Sequence, residues 1–195
     1  MLTPLNHASQ FLVQTFFDFY IFIVFLRVIF HWVKIDGRNP LLQIIARLTH
    51  PPLRPIYRIV PSVGGLDLAA ALLLLALTML KISLLSWLLT GITPHLTGLL
   101  VVAFSELLKQ LINIFFYTIL ILALISWFNP TTFGPLVEIL LKISEPLLKP
   151  MSRALPPISG MNFSPLVVMV TLQLLEIVIV VPLAQIGQKL LLYGA

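Results

Sequence analysis

The chain has 195 residues, 59 % hydrophobic and 10 % charged, with a mean hydropathy of +1.05 and a net charge of +5. A soluble domain carries about a quarter of its residues charged, so this composition belongs in a bilayer. There is no cysteine, which excludes disulfides, thiolate metal sites and a cysteine nucleophile. The basic residues sit in segments flanking apolar runs, so topology and anionic headgroups account for them and no nucleic-acid partner is expected.

The first ten residues carry no Lys or Arg and do not read as the start of a cleaved leader, so the first apolar run is expected to be retained. That run, Phe11 to Trp32, is Phe-rich, ends on an interfacial aromatic and carries Asp18 and Arg27. It is long enough to cross a bilayer. Residues 41–50 are too short to span. Their polar members Gln43, Arg47 and His50 share one stripe opposite Leu41, Leu42, Ile44, Ile45 and Leu48, which predicts an amphipathic helix lying in the interface or dipping into it. Pro51, Pro52 and Pro55 are expected to end it, since each lacks an N–H and restricts its predecessor. Gly64-Gly65 reads as a hinge. Leu66 to about Leu89 forms a second span with Asp67 at its entry and Lys81 inside; 91–98 reads as a turn. A third span starts between Leu99 and Leu111, its start blurred by Glu106 and Lys109, and ends at Trp127; a fourth runs from Phe163 to about Leu192, tilted or bent at Pro182.

The stretch from Asn39 to Gly65 recurs from Gly134 to Gly160 at a constant offset of 95. Pro40, Leu41, Ile44, Pro51, Leu53, Pro55, Arg58, Pro61 and Gly65 meet Pro135, Leu136, Ile139, Pro146, Leu148, Pro150, Arg153, Pro156 and Gly160. Trp32 and Trp127 extend the register, and Glu138, Lys142 and Glu145 form the second polar stripe. We read this as an internal repeat. The expected fold is an all-α integral membrane protein: four transmembrane helices as two parallel two-helix repeats, 1–98 and 99–195. Each repeat has a short amphipathic helix and a Pro-rich loop, within 40–65 and 135–160. The positive-inside rule places both Pro-rich segments in the cytoplasm and both termini in the periplasm.

Under this symmetry Lys81 and Glu176, 95 apart, sit at equal depth. Since an unpaired charge there costs about 2.5–3.5 kcal/mol, they are expected to pair across the repeat interface. Arg27 and Asp67 are a second candidate pair, a structural clamp confined to the first repeat, because the second has Leu122 and Asn162 there. The repeated cations Arg54/Lys149 and Arg58/Arg153 are candidates for lipid or partner docking, or simply set the topology. The four histidines are scattered, and no Walker, GxSxG, HExxH or dinucleotide motif is present, so no catalytic, cofactor or metal residue is expected. GxxxG is absent; Ala69, Ala70, Ala71 and Ser164 are the candidates for close helix packing.

The doubled pattern W…P-L-x-x-I…P-x-L-[RK]-P-x-x-R-x-x-P…G, over Trp32–Asp67 and Trp127–Asn162, resembles the YggT family of small bacterial membrane proteins. With no catalytic motif and few polar residues inside the spans, a non-enzymatic scaffold, assembly or osmotic-shock-resistance factor is expected. The resemblance implies a bacterial inner-membrane protein linked to osmotic-shock resistance, with potassium or other ion uptake by an oligomer as the alternative. It also implies assembly roles, as in plastid relatives tied to cytochrome assembly and nucleoid or division-site organisation. The expected partners are the lipid bilayer, other membrane proteins and further copies of the chain. Asn162 in place of Asp67 counts against two equivalent ion sites.

Overall fold

A computed structural model describes residues 4–37, 39–58, 60, 67–91, 93–128, 134–155 and 163–193. Among these residues the fold is all helical: α1 Pro4–Trp32, α2 Pro40–Ile56, α3 Leu68–Thr90, α4 Leu96–Phe128, α5 Pro135–Ala154, α6 Ser164–Leu175 and α7 Val181–Tyr193. A π-helical turn, Glu176–Val180, joins α6 to α7 without a break. Four stretches are long and apolar enough to cross a membrane: His7–Trp32, Leu68–Thr90, Leu96–Ser126 and Ser164–Leu191. Trp32 lies half-exposed at the end of α1, its ring edge-on to Phe115.

α1 and α3 pack as an antiparallel pair, α3 also packs on α4, and α4 packs on α6, the π turn and α7. The amphipathic helix α2 lies on α1 and α3, and α5 lies on α4 and α6. Burial follows the repeat. Val24 and Ile119, Thr49 and Ser144, and Ala69 and Ser164 are pairs 95 apart, and all six side chains are wholly buried. Thr49 donates to the Ile45 carbonyl at 2.7 Å and Ser144 to the Leu140 carbonyl at 2.6 Å, so each amphipathic helix buries a hydroxyl that its own backbone satisfies.

The amphipathic helices are longer than expected, because they run through their prolines. α2 continues past Pro51, Pro52 and Pro55, and α5 past Pro146 and Pro150. Proline in a helix orphans the carbonyl four residues back. For Pro52 that carbonyl is Leu48, and the Tyr20 hydroxyl donates to it at 3.3 Å. Pro51, Pro55, Pro146 and Pro150 are exposed, so their rings point away from the packed faces. Asn39 caps α2, accepting from the Leu41 N–H at 3.0 Å, and its Nδ2 donates to the Pro135 carbonyl at 3.4 Å. The two amphipathic helices therefore start side by side. The expected hinge at Gly64-Gly65, the prolines at 61 and 156, Gly160, Asn162 and the Trp127 side chain lie outside the described residues.

The fourth span carries a feature that Pro182 alone did not predict. Pro182 follows a full π turn, in which the Val181 N–H reaches back to the Glu176 carbonyl. α4 begins at Leu96 rather than after a blurred start, and it holds both Glu106 and Lys109 in regular helix. Ala69, Ala70 and Ser164 are buried as expected of close-packing residues, whereas Ala71 is exposed. The tightest approach lies elsewhere. A Cβ on Gly98 would fall 2.2 Å from the Leu191 nitrogen, and one on Gly187 would fall 2.9 Å from the Val102 nitrogen. These two glycines let α4 and α7 meet almost backbone to backbone.

Candidate functional site

Five charged side chains inside the spans gather into one row near the middle of the helices. The Lys81 ammonium, 8 % exposed, lies 3.0 Å from Asp18 Oδ1 on α1 and 2.6 Å from Glu106 Oε2 on α4. One turn along α4, Lys109 reaches Glu176 Oε1 of the π turn at 3.4 Å. The Lys81–Glu176 pair expected from equal depth is thus replaced by two separate pairings. α4 packs between α3 and the π turn, so its own Glu106 and Lys109 take up the charge on either side. Asp18, Glu106 and Lys109 are each about half-exposed, whereas Lys81 and Glu176 are largely covered.

A second cluster sits where α1, α2 and α3 converge. Arg27 and Asp67 come together, Nε to Oδ2, at 3.5 Å. The guanidinium also donates to the Thr49 hydroxyl at 2.8 Å, the Ala46 carbonyl at 3.3 Å and the Tyr57 hydroxyl at 3.2 Å. Tyr57 in turn donates to Asp67 Oδ2, while Asp67 Oδ1 caps α3 by accepting from the Ala70 N–H at 3.1 Å. Arg27, Tyr57 and the Ala70 N–H so converge on one buried carboxylate, and Thr49 and Ala46 hold the guanidinium from α2. Burial raises the pKa of the Tyr57 hydroxyl above its ordinary value, and the hydrogen bond to Asp67 adds to the rise. Thr49 and Tyr57 were not singled out by the sequence, although Thr49 has a signal in its hydroxylic counterpart Ser144.

Beside this cluster a half-open cavity of about 460 Å³ extends between α1 and α2. Among the described residues no group of three or more His, Asp or Glu side chains gathers as a metal site.

The CCB3/YggT family model matches the chain twice, over residues 7–88 and 101–183. The chain belongs to the CCB3/YggT family. Curated YggT-type relatives align along nearly their whole length. An uncharacterised protein of Pseudomonas aeruginosa, PA0392, is 33 % identical over 92 % of both chains. An uncharacterised Vibrio alginolyticus protein is 33 % identical over 86 % of this chain and 90 % of its own. The uncharacterised protein YggT of Escherichia coli is 29 % identical over 95 % of this chain and 96 % of its own. No solved structure matches the chain.

In this CCB3/YggT chain the two copies carry unlike surfaces. The candidate docking cations Arg54 and Arg58 are exposed beside Arg47, and none of the three has an ion-pair partner among the described residues. On α5, Lys142 bridges Glu138 at 2.9 Å and Lys149 bridges Glu145 at 3.0 Å, each one turn apart. Lys149 therefore spends its charge within its own helix, and Arg153 is exposed with no ion-pair partner among the described residues. The repeated positions are equivalent in sequence but not in electrostatics.

Proposed function

We propose that the chain is a non-enzymatic scaffold of the bacterial inner membrane that supports resistance to osmotic shock, with α2 and α5 at the cytoplasmic face. The observation that carries this reading is the closed pairing of the mid-span charges. Asp18, Lys81, Glu106, Lys109 and Glu176 each have an ionic partner on another element. Charges satisfied across α1, α3, α4 and the π turn fix those helices against one another at a depth where leaving them unpaired is costly. Such a frame holds α2 and α5 in fixed register, and the outward cations of α2 give it a surface for acidic partners or anionic lipid.

A second reading, cation passage through an oligomer, rests on one particular: the row has three carboxylates against two ammonium groups. A strain lacking the protein, complemented with wild type, with Lys81→Met, or with Arg47, Arg54 and Arg58 all changed to Gln, separates the two. Cells are shifted from high to low osmolarity and survivors counted, and the purified proteins are assayed for potassium efflux from liposomes. The scaffold reading expects survival to fall with the triple variant at unchanged membrane abundance, with no efflux in any sample. Potassium efflux by the wild type that Lys81→Met abolishes would overturn it.

A further inference from the structure

The duplicated chain contains its own control. The second repeat folds the same way, with a span, an amphipathic helix and a returning span, yet it has Leu122, Ser126 and Ser152 where the first has Arg27, His31 and Tyr57. α5 still packs on α4 and α6 as α2 packs on α1 and α3. The polar cluster of the first repeat is therefore not what the fold needs to bring an amphipathic helix onto two spans.

What the cluster adds is a cavity with a basic mouth. Arg27, Tyr57 and Asp67 line it, Phe30 and Leu42 give it an apolar side, and His31 and Lys34 line it at and just beyond the end of α1. The charges do not cancel: Arg27 is matched by Asp67, while Lys34 has no partner among the described residues, and the His31 imidazole offers a hydrogen-bonding group beside it. Asp67 already accepts from Arg27, Tyr57 and the Ala70 N–H, so it has little left to offer a cation. Among the described residues, four of the five N–H groups of Arg27 are engaged and one on Nη2 is left. Lys34 holds a left-handed backbone, φ 52°, the one non-glycine residue to do so among those described. Glycine is the usual residue at such a helix end. A lysine there places an ammonium at the C-terminus of α1, on the cavity rim.

We infer that the α1–α2 cavity of the first repeat binds the phosphate headgroup of an anionic phospholipid, with Lys34 and His31 meeting the phosphate and the apolar wall taking the glycerol and upper acyl chain. The site lies at the end of the spans, beside an amphipathic helix that exposes Leu41, Ile44 and Leu48, so the ligand that reaches it carries a hydrocarbon tail as well as a charge.

Native mass spectrometry of the full chain in detergent tests this, with phosphatidylglycerol, phosphatidylcholine and inorganic phosphate titrated separately. The variants are His31→Ala with Lys34→Asn, which keeps a residue tolerant of the left-handed backbone, and Arg153→Ala as an exposed cation of the second repeat. Phosphatidylglycerol should bind about five- to ten-fold more tightly than phosphatidylcholine, as expected for one ammonium and a neighbouring imidazole at a lipid of net negative charge. The double variant should lose that preference and Arg153→Ala should keep it. Equal binding of both lipids, or an undiminished preference in the double variant, overturns the proposal. Inorganic phosphate binding as tightly as the lipid also overturns it, since the tail would then contribute nothing.

Discussion

Replacing Gly98 by alanine tests whether α4 and α7 meet backbone to backbone. The new methyl carbon would lie 2.2 Å from the Leu191 nitrogen, 2.4 Å from its Cα and 2.6 Å from the Leu190 carbonyl carbon. Ordinary contact between such atoms is about 3.5–4.0 Å, so α7 must retreat by about 1.5 Å. The obstructing atoms are main chain, and no rotamer change relieves them. Overpacking of this kind costs about 1–3 kcal/mol, and the higher helix propensity of alanine returns at most about 1 kcal/mol. A net loss of about 1–2 kcal/mol is expected. Gly187→Ala meets a Val102 methyl at 2.8 Å and the Val102 main-chain nitrogen at 2.9 Å, a shallower main-chain clash than the 2.2 Å at Gly98, so its loss should be smaller. Gly37→Ala meets nothing within 4 Å and should be close to neutral. Thermal unfolding of the three variants in one detergent, followed by circular dichroism, gives the order. If Gly98→Ala and Gly37→Ala melt together, the close approach is wrong.

Lys81→Met strands two carboxylates and should cost about 3 kcal/mol by the same assay. Glu106→Gln leaves Lys81 its contact with Asp18 and should cost clearly less; equal losses would mean that Lys81 does not bridge the two acids. Tyr57→Phe removes the hydroxyl shared by Arg27 and Asp67 and should destabilise by about 1–2 kcal/mol at neutral pH. Because the folded-state pKa of Tyr57 lies above its ordinary value, its contribution is complete below about pH 10 and is lost as pH rises through the folded-state value. The gap between wild type and Tyr57→Phe should therefore narrow in strongly alkaline buffer, and a constant gap would contradict the buried hydroxyl. Vesicles containing phosphatidylglycerol should bind a peptide of residues 40–58 more strongly than one of residues 135–153, because α5 neutralises its own lysines. Equal binding in a sedimentation assay would refute that contrast.

Four spans and two amphipathic segments were legible because apolar length and a polar stripe are local patterns. Thr49 and Ser144, 95 apart and both wholly buried, went unnoticed because neither lies on the polar stripe that marks its helix. Partner choice was not legible. Equal depth made Lys81 and Glu176 look like mates, but which helix lies between them is a property of the whole bundle, and α4 took both. Glu106 and Lys109 were the signal: three apart in an apolar stretch, they blurred the start of a span only if assumed to be unpaired. The prolines misled because the cost of a missing N–H depends on who else reaches the orphaned carbonyl, and Tyr20 is remote in sequence. Gly98 and Gly187 belong to no small-residue motif, so only packing reveals them.

The π turn at Glu176–Val180 gives the last span a tolerance to length that its neighbours lack. Such a turn takes up one residue more than α-helix needs, and Ile177, Val178 and Ile179 are all exposed. Dropping any one of them lets the rod relax into plain α-helix with Gly187 still facing α4. The same one-residue loss in α1, α3 or α4 would swing every later side chain by about 100° and scramble the seam.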